Sequence, residues 1–298
     1  MIIRRVQFLA TLECNVSCSY CYQSSQRSSR LPQVHPLELI AQTIAKIHPD
    51  EVLLMGGEVF LLPNVEDLVY TWTSVGIRVS VVTNGILQQR IAAFVRRFPD
   101  VTMNLSVDGI GSASAAQRGY DAIRVLESLL ARCNPRFNLI LTVVDQNVEE
   151  IASLLEHPVA DAAESIFVNL DNRVTMTALG RTEKVHRALR PTAQKAAVGL
   201  LEEMQKCRNA LKIVSTIDRR FVVDGGVRCG NAVDGGIRIG PEGKAYLCER
   251  LSEECGHILK DSPERILTRL RENEARLREL TFGRMLPICT NCCKLVSA

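Results

Sequence analysis

Short runs of β-branched and aliphatic residues alternate with amphipathic stretches through the first 170 residues of the chain. The runs predict strands at Ile2–Leu9, Glu51–Leu54, Arg78–Thr83, Thr102–Val107, Phe137–Val144 and Ser165–Asn169. Between them the apolar period of a helix predicts helices near Pro36–Ile47, Val65–Ser74, Leu87–Arg97, Tyr120–Arg132 and Val148–Leu155. Pro36 suits a first helical position, where its missing N–H costs nothing. Six β–α repeats predict a parallel sheet. Six is short of the eight that close a full barrel. The expected fold is therefore α/β, an open partial (β/α)6 TIM-like barrel with its chemistry at the C-terminal ends of the strands.

The pattern then changes. Leu170–Pro191 is polar, contains Gly180 and has no sustained period, so it reads as a connector. Thr192–Asn209 predicts a helix capped by Thr192. From Gly225 onward glycines crowd the chain. Ile237–Ile239 and Ala245–Leu247 flank Gly240-Pro241-Glu242-Gly243, which predicts a hairpin. Pro263–Leu280 is laced with Arg and Glu and predicts a helix whose Arg/Glu pairs form a solvated face. Three segments are expected: a barrel over 1–170, a connector and helix over 171–224, and a small C-terminal module over 225–298.

Composition narrows the class. With 46% hydrophobic residues in 298, a large core is expected. A net charge of +3 argues against a dedicated nucleic-acid surface. No stretch has the length of a signal peptide's apolar region or of a membrane span, so a cytoplasmic protein without a membrane partner is expected. In that reducing compartment the eleven cysteines read as metal ligands or redox thiols rather than disulfides.

Cys14, Cys18 and Cys21 follow the first predicted strand in the spacing C-x3-C-x2-C, with Tyr20 just before the third. Three thiolates are one short of the four that enclose a structural zinc. On a cubane iron–sulfur cluster, three cysteines leave one iron open. A zinc knuckle or three unrelated core cysteines are the bland alternatives. Later strand ends carry signals of their own. Gly56-Gly57-Glu58 follows the second strand, where paired glycines admit close backbone approach and Glu58 could accept from an ammonium group. Thr83-Asn84-Gly85 ends the third, and Ser106-Val107-Asp108-Gly109 the fourth. Singly these are ordinary turn sequences; their ordered placement after the cysteine run is specific.

With CNVSCSYCY, GGE, TNG and SVDG in this order, the first 170 residues resemble the radical S-adenosylmethionine (radical SAM) enzymes. The resemblance implies a [4Fe–4S] cluster on Cys14, Cys18 and Cys21, whose open iron chelates S-adenosylmethionine. One electron then cleaves that cofactor to a 5′-deoxyadenosyl radical, which takes a hydrogen atom from the substrate. It further implies that Tyr20 packs by the adenine and that Gly56, Gly57 and Glu58 bind the methionine ammonium. Ser106, Asn84 and Asp108 would face the ribose or nearby polar groups, and Arg118 the methionine carboxylate. An electron donor such as flavodoxin or ferredoxin is the implied partner. One departure is visible: Val59 stands where the family usually has proline after GGE.

Cys229, thirteen residues, Gly243, four residues and Cys248, followed by Cys289-Thr-Asn-Cys292-Cys293, looks like the auxiliary-cluster region of the SPASM/twitch subgroup. The sequence stops five residues after Cys293, which fits the shorter twitch version with a second [4Fe–4S] cluster on Cys229, Cys248, Cys289 and Cys292. Zinc on the same four thiolates stays open, since such sites suit either. Cys133 and Cys207 read as buried small hydrophobes. Cys255 and Cys293 are spare, and a thiol is a natural hydrogen-atom donor to a carbon radical. Cys248 takes that place if one of the spares is a ligand instead. The five histidines show no metal-ligand spacing.

The subgroup includes epimerases and dehydrogenases that tailor aminoglycosides and aminocyclitols. The chain starts at the first barrel strand, without room for a leader-peptide-binding segment, which favours a small polar metabolite. The expected reaction is epimerisation of an amino sugar with a cysteine as hydrogen donor. Dehydrogenation of an alcohol and maturation of a ribosomal peptide are the alternatives. A zinc-bound scaffold or an electron carrier is the non-enzymatic reading.

Overall fold

The computed structural model describes residues 2–21, 23, 35–144, 146–170, 204, 206–207, 209–215, 227–229, 235–247, 253–280 and 295–297. Six strands lie side by side in chain order: β1 (Arg5–Thr11), β2 (Glu51–Gly56), β3 (Arg78–Thr83), β4 (Thr102–Ser106), β5 (Phe137–Val143) and β6 (Ile166–Leu170). Each pairs with the next in parallel. The connections carry the helices α1 (Leu37–Ile47), α2 (Val65–Thr73), α3 (Gln88–Arg97), α4 (Ser112–Arg118), α5 (Ala122–Arg132), α6 (Val148–Leu155) and α7 (Pro158–Ala162).

The two faces of the sheet differ. Val6, Phe8, Val52, Leu54, Val81, Leu105, Leu139 and Val168 belong to the hydrophobic core. Phe8 meets the edge of Trp72 on α2 with ring centroids 6.0 Å apart. Trp72 Nε1 donates to Ala41 O on α1 at 3.0 Å. The alternate positions line the other, concave face, and several of them, among them Leu53, Ser80, Asn138 and Phe167, are only partly buried. On α1 the buried set Leu37, Ile40, Ala41 and Ile44 recurs at the spacing of one helix stripe. Its end is fixed by His48, whose φ of 56° is left-handed and whose N–H reaches Ala45 O and Ile44 O. Pro36 is the residue before the first helical one, a position earlier than expected.

The sheet extends beyond the six strands. β7 (Ile213–Ser215) adds in parallel to β6. On the opposite edge, β9 (Gly236–Ile239) pairs in parallel with β1, followed by β10 (Lys244–Tyr246) and β11 (Glu254–His257) in antiparallel order. The hairpin expected within 225–298 thus continues the barrel sheet. Gly243 turns it with φ of 85°, a conformation open to glycine. The order ends at β11 and β7, so the sheet is open. The predicted helix Pro263–Leu280 is α8. A separate two-stranded sheet joins β8 (Val227–Cys229) to β12 (Leu295–Ser297), antiparallel. Leu170, the first residue of the predicted connector, ends β6; the rest of the connector and most of the predicted Thr192–Asn209 helix lie outside the described residues. Among the described residues no helix is long and apolar enough to cross a membrane.

Candidate active site

Thr11 ends β1, and the cysteine run begins three residues later, over the C-terminal edge of the sheet. The loop is pinned by the end of β2. Gly57 N–H donates to Thr11 O, and Glu58 N–H to Glu13 O, both at 2.7 Å. A Cβ on Gly57 would stand 2.1 Å from Glu13 O and 2.7 Å from Leu12 O; one on Gly56 would stand 2.7 Å from Thr11 O. The backbone that approaches the paired glycines is therefore the cysteine loop itself. Further along, Ser19 N–H donates to Gln117 O on α4 at 2.9 Å, and Cys21 N–H to Cys18 O at 3.1 Å.

Glu58 is fully buried. Its Oε1 accepts from Phe60 N at 3.1 Å and Thr83 Oγ1 at 2.9 Å, and its Oε2 from Asn84 N at 2.8 Å. Burial pushes its pKa up against these three donors. Asn84 carries the link onward. Its Nδ2 donates to Asn15 Oδ1 at 2.7 Å, inside the cysteine loop, and its carbonyl accepts from Tyr120 Oη at 3.0 Å. Asn15 and Tyr120 were not among the expected site residues; the position of Asn15 between Cys14 and Cys18 was the available signal.

Asp108 and Arg118 form a buried ion pair. Arg118 Nε stands 2.6 Å from Asp108 Oδ2, and Nη2 donates to Oδ1 at 3.0 Å. Thr142 N–H donates to Oδ1 as well, at 2.8 Å. The Tyr20 hydroxyl donates to Asp108 Oδ2, and the Arg118 guanidinium carbon lies 5.8 Å from the Tyr20 ring centre. Burial pushes the Tyr20 phenol far up, with Arg118 opposing and Asp108 reinforcing. The Tyr120 phenol is pushed to about 12, first by burial. Burial alone would lower Arg118, but the Asp108 charge outweighs it and holds the guanidinium firmly protonated. These side chains, which the resemblance assigns to different parts of a cofactor, bond one another in the structure. Ser106, the last residue of β4, is half-buried.

The Cys18 thiol is pushed up first by burial; Arg118 pulls it down, and Asp108, Cys21 and Cys14 push it further up. All three thiols therefore share one electrostatic neighbourhood. Among the described residues, no three His, Cys, Asp or Glu groups converge closely enough to hold a single metal ion. Zinc at 2.3 Å from each sulfur would need thiolates roughly 4 Å apart. A cubane cluster takes each cysteine at a separate iron, and three soft thiolates on one loop are a donor set that fits it.

Of the C-terminal cysteines, Cys229 ends β8, with the backbone position of Leu295 paired to it. That pairing carries the tail strand, which starts two residues after Cys293, back to the Cys229 strand. Cys248, Cys289, Cys292 and Cys293 lie outside the described residues. Cys255 is fully buried in the core. Its Sγ accepts from Asn273 Nδ2 on α8 at 3.4 Å, and burial pushes its thiol to about 11. The first hydrogen-donor candidate thus lies in the core against α8. Cys133 and Cys207 are partly buried against the core. His257, also buried, meets the ring of His35 edge-on at 5.2 Å between centroids.

The fold is an open, largely parallel sheet with three thiols at the mouth of its first strand. The model of the radical SAM superfamily matches residues 9–157. The chain belongs to that superfamily. It is 26% identical over 166 residues to the sporulation killing factor maturation protein SkfB of Bacillus subtilis, covering 53% of this chain and 40% of that one. It is 27% identical over 146 residues to neomycin C epimerase of Streptomyces fradiae, covering 48% and 47%. The chain spans less than half the length of these two curated relatives. Among solved structures, anSMEcpe with bound AdoMet matches with a TM-score of 0.67 at 15% identity, covering 97% of this chain and 86% of that one. At that identity the likeness concerns the fold.

Proposed function

We propose that this chain is a radical SAM enzyme that removes a hydrogen atom from a small polar substrate held in the open barrel. The observation that carries the reading is the brace formed by the four strand-end loops around Cys14, Cys18 and Cys21. With Cys14, Cys18 and Cys21 as its ligands, the [4Fe–4S] cluster together with S-adenosylmethionine would supply one-electron cleavage to a 5′-deoxyadenosyl radical. The protein's own part is positional. Gly56 and Gly57 seat the start of the cysteine loop, and Asn84 ties Asn15 to Glu58. The Asp108–Arg118 pair holds Tyr20 beside Cys21. Ser106 is the polar side chain at this edge that a cofactor hydroxyl could meet. Glu58, with three of about four acceptor directions used, could still take an ammonium hydrogen.

For the reaction we favour epimerisation of an amino sugar. Support comes from the likeness to neomycin C epimerase. A thiol would return a hydrogen to the opposite face of the substrate carbon, and the thiyl left behind would need one electron and one proton before the next turnover. With Cys255 packed in the core, Cys293 is the donor proposed, or Cys248 where Cys293 takes its place as a ligand. A second cluster on Cys229, Cys248, Cys289 and Cys292 is supported by the β8–β12 pairing. Flavodoxin or ferredoxin would supply electrons. Peptide maturation is the second reading, favoured by the likeness to SkfB.

The test is anaerobic reconstitution with iron and sulfide. The protein should hold about eight irons and form 5′-deoxyadenosine from S-adenosylmethionine. Changing Cys14, Cys18 and Cys21 together to alanine should abolish that product and leave about half the iron. Retained cleavage in this variant overturns the proposal. With an amino-sugar substrate in deuterated water, one deuterium at the inverted carbon supports epimerisation. A ketone free of solvent deuterium would establish dehydrogenation.

A further inference from the structure

Gln7 on β1 and Arg238 on β9 share one rung of the sheet. Their strand neighbours Val6, Phe8, Ile237 and Ile239 belong to the core on the helix side. Alternation then sends Gln7 and Arg238 to the concave face. Both are buried, with 9% and 6% of their surface exposed. Neither Gln7 Oε1 nor Arg238 Nε has a hydrogen-bond partner. Among the described residues no carboxylate pairs with Arg238. Tyr246, next on the rung, gives its hydroxyl to Glu242 at 2.8 Å.

A guanidinium taken out of water without an anion costs several kcal/mol. An unmet buried amide oxygen costs about 1–3 kcal/mol more. Two such losses on adjacent strands make sense where a ligand compensates them. Arginine's planar fork suits a carboxylate or a phosphate. Gln7 Oε1 suits a hydroxyl or amine beside that anion. The rung lies four residues below Thr11, roughly 13 Å from the strand end at the rise of a β-strand. A sugar-sized molecule reaching from the cysteine loop into the barrel could span it.

We infer that Arg238 and Gln7 bind an anionic group, a carboxylate or a phosphate, carried by the substrate of this barrel. The inference rests on the radical SAM reading for what the substrate undergoes. An amino sugar meets the requirement as an acid or a phosphate ester, not as a purely cationic amine.

Titration calorimetry on the reconstituted protein tests this with inorganic phosphate, glucosamine, glucosamine 6-phosphate and glucuronate. The anionic sugars should bind at least about tenfold tighter than glucosamine, a difference of about 1.4 kcal/mol. The stronger of the two separates phosphate from carboxylate. Arg238→Gln should erase the preference while keeping iron content, and Gln7→Leu should weaken it about threefold. If Arg238→Gln fails to fold, Arg238→Lys keeps the charge without the fork and should lose most of the preference. Equal affinity for all three sugars, no response to any anion, or a preference surviving in the Arg238 variants overturns the inference. 5′-Deoxyadenosine formation without any sugar, measured on the same samples, reports separately on the radical SAM reading.

Discussion

The Arg118 guanidinium is tied to Asp108 by contacts of 2.6 and 3.0 Å, and both side chains are buried. Two charges removed from water together stay there only while their geometry is kept. Here the geometry is shared with the cysteine loop, because Tyr20 bonds the same carboxylate. The pair connects the end of β4 to the segment between Cys18 and Cys21.

Breaking this pair should therefore be felt twice. Asp108→Ala strands Arg118 and frees the Tyr20 hydroxyl and the Thr142 N–H. A loss of about 3–5 kcal/mol is expected, a fall in Tm of about 10 °C. Thermal unfolding of the metal-free protein checks it. A Tm within two degrees of the parent, by about the same scale, would mean that the pair carries no stability.

The cysteine loop also depends on glycine. Gly57→Ala would place a methyl 2.1 Å from the Glu13 carbonyl oxygen, a backbone atom with no freedom to turn aside. Either the loop or the β2 end must move, and with it the spacing of Cys14 from Cys18 and Cys21. The expected outcome is loss of most of the iron held by those three cysteines. Gly76→Ala serves as control, since its Cβ meets nothing within 4 Å and only its φ of 80° opposes it. That strain costs about 1 kcal/mol. Iron and sulfide analysis, with electron paramagnetic resonance of the reduced protein, compares the two. Equal iron in both variants sinks the idea.

Much of this architecture is legible in the chain because its elements carry their own period. Arg78–Thr83, Val148–Leu155 and Pro263–Leu280 fall at the predicted bounds. Others are made by tertiary contact. α4 reads Ser-Ala-Ser-Ala-Ala-Gln-Arg and has no apolar stripe. Its first turn is held by Glu150, which accepts from Ala113 N at 2.9 Å and Ser114 N at 2.8 Å. β11 is four residues long and exists because β10 offers it an edge. At the site, motif order marked the loops that gather at the strand ends. It could not reveal that Asp108 and Arg118 answer each other, since spacing along a chain says nothing of which charge is left over.

Glu58 offers a test of the brace between loops. Glutamine has the same shape but only one acceptor oxygen. In Glu58→Gln its amide N–H must face either Asn84 N or the pair Phe60 N and Thr83 Oγ1, all donors now. At least one buried N–H loses its acceptor, at about 1–3 kcal/mol. The urea midpoint should fall accordingly, with unchanged slope. An unmoved midpoint would show that the three hydrogen bonds are replaceable.

Cys255 gives the pH test. Burial raises its thiol from 9.0 to about 11 in the fold, with Asn273 opposing. A group raised in this way contributes its stability in full below 9.0 and loses it as pH climbs to about 11, because the unfolded chain releases its proton first. Wild type should thus lose more stability over that window than Cys255→Ala, and the gap between them should narrow. Denaturant titrations at several alkaline pH values measure it. A packing thiol closed to solvent should also resist iodoacetamide in the native state and react once unfolded. Inversion of substrate, if it occurs, should survive in Cys255→Ala. A parallel pH dependence for the two proteins, fast native alkylation, or loss of inversion with deoxyadenosine formation intact would return Cys255 to the chemistry.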